Sequence, residues 1–312
     1  MKSKTTFQNV DLLLVDPKAQ NRSTLRQTLY DLDFREIRFG SSISDILLAI
    51  DARLPDLVIT DSELQDGDIC KLIEGIRSNQ IGPNPFLPFV VTTWNPSNEL
   101  VTKVIDSGAD DLLVQPISRG QLRDRINVLT FNRKPFVVTP MYIGPDRRKH
   151  PRTDRLEVPL LEVPNSLNAK ATGMTDVAQM QRAVDDMIKQ FNQHKLERDA
   201  HHIDYLVNQI LPAYQRNQID ISLRDNLHEL SLTTQDSLRR VAGTKYEYLS
   251  KLCKAMISVV SRLGKQPQQP AKKDLKLLPE LAAAIRVAFE DGQSAAAAAQ
   301  DISVEVERTG TA

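Results

Sequence analysis

The segment LVITDSELQDGD, residues 57–68, places an acidic turn directly after a short apolar run. Its three consecutive β-branched residues, 58–60, are typical of a buried strand, and Asp61 follows them at once. A carboxylate at the end of a buried strand costs free energy unless a cation or hydrogen-bond donors meet it. Asp61 is therefore the first candidate for chemistry in this chain.

Three more polar residues end apolar runs in the same part of the sequence: Asp16 after VDLLLV, Thr93 after PFVVT and Gln115 after DLLV. The runs alternate with helical patterns, and five such β/α units predict a parallel sheet with helices on both faces. The predicted strands are residues 10–16, 36–40, 56–60, 88–93 and 111–116. Chemistry in such sheets gathers at the carboxyl ends of the strands, so we expect these three side chains and Asp61 to meet around one shallow hollow.

The order and spacing of these motifs resemble the receiver domain of bacterial two-component response regulators over residues 8–131. The segments that carry the resemblance are LLLVDPKAQNR, DLVITDSELQDGD, PFVVTT and SGADDLLVQPIS. The resemblance implies a five-stranded, doubly wound, flavodoxin-like α/β domain at residues 1–132. It also implies that Asp61 accepts a phosphoryl group from a histidine kinase.

The same resemblance implies a site for Mg²⁺, held by Asp16, Asp61 and the backbone carbonyl of Glu63. A metal ion offsets the negative charges that otherwise slow the attack of a carboxylate on phosphorus. The hydroxyl of Thr93 is expected to bond a phosphoryl oxygen. The position of the family's lysine, which pairs with the acceptor and the phosphate, is occupied by Gln115.

Six positions depart from the family pattern, and all of them bear on this one site. The second acid after the first strand is Pro17, and the lysine is Gln115. The other departures are Trp94 for a small residue, Leu112 for the switch aromatic, and Gln65 and Ile69 for the Pro and Gly of the acceptor turn. A neutral hydrogen bond is about half as strong as a charge-assisted one, and a lost carboxylate weakens Mg²⁺ binding.

We therefore predict a degenerate receiver, or pseudo-receiver, in which switching by phosphorylation is weak or absent. The alternative is a working response regulator that is phosphorylated on Asp61 and controls a helical output domain. In that case Asp61 would receive its phosphoryl group in a phosphorelay and use the weakened Mg²⁺ site.

Residues 133–175 hold six prolines and no helical period, and they predict an extended, Pro-rich, basic linker. The spacing Arg148-x-x-x-Arg152 resembles the arginine half of the cyclic-di-GMP-binding PilZ signature. A second-messenger sensor that uses Arg147, Arg148 and Arg152 is therefore a further alternative. A basic linker that docks on an acidic surface gives the same pattern, and no helix-turn-helix or basic-helix pattern indicates nucleic-acid binding.

From residue 176 onward apolar residues recur at helical spacing. Four amphipathic helices within residues 176–264, the second ended by Pro212, predict an antiparallel bundle. Residues 265–312 predict a flexible break, one further helix around 275–290 and an Ala-rich tail. Four residues at helical spacing suit either a Zn²⁺ site or an ordinary solvated helix face: His194, Glu197, His201 and Asp204.

Residues 236–252, DSLRRVAGTKYEYLSKL, faintly resemble the segment that carries the histidine of phosphotransfer domains. Asp236 would stand at the histidine position and Arg239 at the lysine position. This alignment cannot transfer a phosphoryl group through histidine, and a generic amphipathic bundle explains the residues equally well.

Composition bounds the remaining choices. The chain has 312 residues, enough for two domains, and 40 basic residues balance 40 acidic ones, so no overall charge draws it to nucleic acid or membrane. No apolar run approaches the roughly 20 residues of a membrane-spanning helix, and Cys70 and Cys253 form no metal-ligand spacing. We expect a cytoplasmic signalling protein without catalytic turnover. Its expected partners are a histidine kinase or phosphotransfer protein and an unidentified output protein, with homodimerisation as another route to output.

Overall fold

The computed structural model describes residues 6–148, 159–173 and 176–290. Contacts divide the chain into two units, Met1–Lys189 and Gln190–Ala312. The strands are β1 (Asp11–Val15), β2 (Glu36–Gly40), β3 (Leu57–Asp61), β4 (Phe89–Thr93), β5 (Asp111–Val114), β6 (Phe136–Val138) and β7 (Ile143–Pro145). The helices are α1 (Ala19–Asp31), α2 (Ile43–Ala52), α3 (Ile69–Arg77), α4 (Asn98–Asp106), α5 (Arg119–Phe131), α6 (Ser166–Ala171), α7 (Val177–Gln215), α8 (Ile221–Val241), α9 (Ser250–Lys265) and α10 (Lys272–Glu290).

Strands β1 to β5 form one parallel sheet in the order β2-β1-β3-β4-β5. Every residue of β1, β3 and β4 is buried, as expected for central strands that helices cover on both faces. Successive residues of β1 enter opposite cores: Leu13 packs in one cluster, and Leu12 and Leu14 pack in the other. The predicted flavodoxin-like fold is confirmed for this part of the chain.

The segment predicted as an extended linker instead adds structure to the sheet unit where it is described. Strands β6 and β7 form an antiparallel hairpin. Leu161 forms an antiparallel bridge with Phe136, the first residue of β6. Leu167 of α6 is fully buried in the cluster that contains Leu12 and Leu14. These residues are ordered because their apolar side chains are buried in the core of the sheet unit. The prolines interrupt the apolar pattern, so the sequence shows no regular period here.

The hairpin is fixed by a guanidinium network at the amino-terminal edge of the sheet. Arg77, which is 1% exposed, donates to the carbonyl oxygens of Gly108 (2.8 Å), Pro85 (2.6 Å) and Leu87 (2.8 Å). It also pairs with the Asp110 carboxylate at 3.0 Å.

The same carboxylate accepts hydrogen bonds from Nε of Arg133 (2.7 Å) and from its Nη2 (3.1 Å). Both Arg77 and Arg133 place their guanidinium carbon over the ring of Phe136, at 5.2 and 5.0 Å from its centroid. Strand β6 is thereby joined to the starts of β4 and β5.

Replacing Asp110 with asparagine should destabilise the sheet unit by about 3–5 kcal/mol, because two buried guanidinium groups lose their counter-ion. Urea unfolding followed by the fluorescence of Trp94 reports on this unit, since Trp94 is the one tryptophan of the chain. As a control, Asp124→Asn breaks an exposed pair with Arg123 and should change stability by less than about 0.5 kcal/mol. Equal, small effects of both substitutions would contradict the network's structural role.

In the second unit, the part of α7 after Lys189 and the helices α8, α9 and α10 share one apolar core. Residues from each helix contribute to it, among them Ile203, Leu227, Met256 and Leu281. The prediction that Pro212 ends a helix is wrong, because α7 runs from Val177 to Gln215 as one helix. The first two predicted helices merge across NQHKLERDAHH, a stretch that contains no Gly or Pro to break a helix.

A buried ion network links α7 to α8. Lys195 contacts the Asp199 carboxylate one turn later and lies 3.4 Å from Asp236. Arg240 donates to Asp236 through Nε (2.8 Å) and to the Asn192 side chain through Nη1 (2.6 Å). Because both carboxylates face cations, the network offsets the cost of burying charge between two helices.

Burial raises the pKa of Asp199 from 3.8 to about 7, although the adjacent Lys195 ammonium opposes the shift. The folded state therefore holds this proton more tightly than the unfolded chain does. The free energy of unfolding should fall as pH rises from about 4 to about 7 and should be constant above that range. Asp199→Asn should remove that decline, whereas Asp225→Asn on the exposed face of α8 should keep it. Hydrogen exchange of α9 peptides, corrected for the pH dependence of the intrinsic rates, measures the stability of the helical unit at each pH. Wild-type stability that is flat between pH 5 and pH 7 would be inconsistent with it.

Candidate functional site

The four polar residues singled out in the sequence lie at the carboxyl edge of the sheet. Asp16 follows β1, Asp61 and Thr93 end β3 and β4, and Gln115 follows β5. Because β1, β3, β4 and β5 are consecutive neighbours, the strands bring these residues side by side. All four are buried, and Asp61 is 6% exposed.

Asp61 is held by an amide and a backbone N–H. The N–H of Glu63 donates to Oδ1 of Asp61 at 2.8 Å. The side-chain amide of Gln115 lies 3.5 Å from Oδ2 of Asp61 and 3.2 Å from the hydroxyl of Thr92. A donor–acceptor distance of 3.5 Å gives a weak hydrogen bond, so the amide bonds Thr92 more closely than Asp61.

Thr92 is the residue that sequence reasoning missed. It pairs with Asp61 in the β3–β4 register, so its side chain lies on the same face of the sheet as the carboxylate. The hydroxyl of Thr93, which is predicted to bond a phosphoryl oxygen, accepts a hydrogen bond from the backbone N–H of Asn95 at 3.2 Å and keeps its own O–H as a donor. The strand register could have indicated Thr92, but two adjacent threonines cannot be told apart without it.

Asp16 is oriented by the loop that follows it. Its carboxylate accepts from the N–H of Lys18 at 2.7 Å and from the Asn21 amide at 3.3 and 3.1 Å. The guanidinium of Arg22 donates to the carbonyl oxygen of Asp16. Part of the acceptor capacity of this carboxylate is therefore already used within the protein.

The site carries an excess of negative charge. Burial raises the pKa of Asp61, and the negative charges of Asp16 and Glu63 raise it further. The hydrogen bond from the Glu63 N–H and the positive charge of Lys18 oppose this rise. In the described part of the chain, no lysine or arginine forms a salt bridge with Asp61.

The other two acids of the turn have structural roles that the sequence did not reveal. Asp66 accepts from the N–H groups of Ile43 (2.8 Å) and Ser44 (2.9 Å) at the start of α2, and these bonds lower its pKa. Asp68 caps α3 through the N–H of Cys70 and pairs with Lys103 of α4 at 2.7 Å. The loop that carries Glu63 is thus anchored to helices on both sides.

The arginines of the second-messenger alternative are engaged within the protein. Arg147 donates to the carbonyl oxygens of Ala109 and Asp110, and Arg148 pairs with Asp146 at 2.8 Å. Arg152 lies outside the described residues. This arrangement uses Arg147 as part of the network around the hairpin, and it does not favour a phosphate clamp.

The motifs of the helical unit also have structural explanations. Asp236 lies between Lys195, Arg239 and Arg240. His194 lies 3.7 Å from Glu197. Nowhere in the described ranges do three or more His, Cys, Asp or Glu side chains form a group that could hold a metal ion. These observations favour a solvated helix face for His194 and an interhelical contact for Asp236.

Residues 12–127 match the family model of the response regulator receiver domain. The chain is 29% identical over 118 residues to the KDP operon transcriptional regulatory protein KdpE of Escherichia coli (strain K12), covering 38% of this chain and 50% of that protein. It is 26% identical over 98 residues to the transcriptional regulatory protein KdpE of Staphylococcus aureus (strain NCTC 8325 / PS 47), covering 31% and 40%.

Among solved structures, the receiver domain of a sensor histidine kinase from Pseudomonas aeruginosa PAO1 has a magnesium ion coordinated in its active site cleft. It matches with a TM-score of 0.33 and 20% identity, over 37% of this chain and 92% of that chain. The chain spans about half the length of the E. coli relative.

Residues 12–127 are therefore a response regulator receiver domain, as the motifs predict. The family match ends at residue 127, before the helical unit begins. Across the described ranges, no helix is long and apolar enough to span a lipid bilayer.

Neutralising Asp61 should stabilise the receiver domain. Asp61→Asn removes a buried charge that Asp16 and Glu63 repel, and we expect a gain of about 1 kcal/mol at neutral pH. Urea unfolding followed by Trp94 fluorescence gives the free energy of unfolding. Asp51→Asn, an exposed acid on α2, changes the net charge equally and should leave stability unchanged. A loss of stability in Asp61→Asn would show that the carboxylate is better compensated than its contacts indicate.

Proposed function

We propose that this protein acts in two-component signalling through protein–protein contacts, with a degenerate receiver domain whose phosphorylation switching is weak or absent. The observation that carries the proposal is the amide of Gln115, which stands in place of a lysine and lies 3.5 Å from Asp61. Proposed partners are a histidine kinase or phosphotransfer protein and an output protein. The protein is proposed to be cytoplasmic and to have no catalytic turnover.

Charge explains why this substitution weakens switching. A phosphoryl group adds about −1.5 to −2 charge at neutral pH to a pocket where burial and neighbouring carboxylates already raise the pKa of Asp61. A lysine at position 115 would offset the phosphoryl charge. Its charge-assisted hydrogen bond would also link the phosphoryl group to the end of β5. The Gln115 amide cannot offset charge, and its shorter hydrogen bond is to Thr92.

Receiver domains bind Mg²⁺ in their active site, and the donor set here fits a weakened version of such a site. Mg²⁺ favours oxygen ligands and is often held by one or two carboxylates while it keeps several waters. Asp16, Asp61 and the carbonyl of Glu63 would supply those oxygens, and the bound ion would offset phosphoryl charge. Pro17 removes one carboxylate, and the Asn21 amide already occupies Asp16.

The residue at the position of the family's switch aromatic also supports weak coupling between the phosphoryl group and the rest of the protein. Leu112 replaces the switch aromatic that the family resemblance implies, and it packs against the apolar cluster that contains Val58 and Val91. A leucine in that cluster has no aromatic ring or hydroxyl that could change its position when Asp61 is phosphorylated. The retained Asp61 keeps one alternative open, a working phosphoacceptor that controls the helical unit.

Restoring the two missing charged groups should restore phosphorylation. With acetyl phosphate and Mg²⁺, the Pro17→Asp/Gln115→Lys double variant should reach at least about tenfold more phosphorylated protein than wild type, because a charged hydrogen bond replaces a neutral one. Phosphate-affinity electrophoresis and intact mass measure the product. Asp61→Ala in the same background should abolish it. Efficient, Asp61-dependent phosphorylation of the wild type would favour the working phosphoacceptor instead.

A further inference from the structure

The loop after β1 carries positive charge directly after Pro17, which stands at the position of the family's second acid. Its sequence, DPKAQNR, places Lys18 two residues after Asp16 and Arg22 one helical turn further on. The opposite change occurs after β5, where Gln115 replaces a cation. A cation is thus absent at position 115, while two cationic residues follow the strand on the other side of Asp61.

The loop after β1 holds the backbone of Lys18 and the guanidinium of Arg22 against Asp16. The backbone N–H of Lys18 donates to Asp16 at 2.7 Å, and the guanidinium of Arg22 donates to the carbonyl oxygen of Asp16. Lys18 is the residue directly before the 13-residue helix α1, which has no acidic residue in its first turn. The positive end of that helix adds to the charge of the two side chains.

The Lys18 ammonium is not committed to another carboxylate. Its side chain is exposed, and over the described ranges it forms no salt bridge. Its backbone N–H is bonded to the Asp16 carboxylate, and Asp16 follows β1, the strand next to the one that ends at Asp61. A flexible, exposed lysine at this point can approach an anion that binds over Asp61 without moving the backbone.

We propose that Lys18, supported by Arg22, is the cationic residue that binds a phosphoryl-class anion at Asp61, in place of the lysine absent from position 115. This inference rests on the proposed function, because it concerns the same site. Since Lys18 is exposed, anion binding should depend strongly on ionic strength. Arg22 acts as a positioning residue through its bond to the Asp16 backbone.

The probe is beryllofluoride, a phosphoryl-group analogue, titrated into the full-length chain with Mg²⁺ and observed by ¹⁹F NMR of the bound species. Lys18→Gln should raise the dissociation constant about three- to tenfold, as expected for the loss of one nearby charge in a partly solvated site. Lys18→Arg should stay within about twofold of wild type. Lys71→Gln removes an exposed lysine of α3 and should leave the constant unchanged.

Ionic strength gives a second readout that a merely structural role would not change. Between about 50 mM and about 500 mM salt, wild-type affinity should fall more steeply than that of Lys18→Gln. Equal affinity and equal salt dependence in both proteins would overturn the role of Lys18. So would the absence of any bound beryllofluoride in wild type, although that result would leave the proposed partner-based function standing. Tight, salt-insensitive binding in wild type would overturn the role of Lys18 and would also count against weak switching.

Discussion

The charge of Asp61 is the constraint from which the properties of this receiver domain follow. The carboxylate ends a central strand that is buried along its whole length, next to Asp16 and Glu63, whose charges raise its pKa. Within the described residues, its hydrogen-bond donors are one backbone N–H and an amide at 3.5 Å. A buried carboxylate with so few donors favours the binding of a cation or a proton. An incoming phosphoryl group meets no cationic side chain at position 115.

The amino-terminal edge of the same sheet shows how the fold treats a buried carboxylate when the position serves structure. Asp110 receives two guanidinium groups, from Arg77 and Arg133, and both stack on Phe136. That network fixes the hairpin of β6 and β7. Paired charges therefore stabilise one edge of the sheet, whereas at the other edge the Asp61 carboxylate forms no salt bridge within the described residues.

Sequence alone could predict the sheet and the position of the site, because alternating strand and helix periods place Asp16, Asp61, Thr93 and Gln115 at the ends of buried runs. It could not predict the hairpin of residues 136–145, since prolines interrupt its period and its anchors are distant in sequence. Only the strand register shows that Thr92 lies opposite Asp61, on the same face of the sheet. The sequence predicts two helices where α7 is one, because the polar stretch of residues 192–202 interrupts the apolar stripe, and α7 also continues past Pro212 to Gln215.

The most direct test of weak switching is an amide NMR spectrum of the full-length chain with and without beryllofluoride in the presence of Mg²⁺. We expect chemical-shift changes confined to the loops that follow β1, β3, β4 and β5, with the amides of α8 and α9 unmoved. Shifts of the α8 and α9 amides on the same titration curve would contradict it, because they would show that occupation of the acceptor is transmitted to the helical unit.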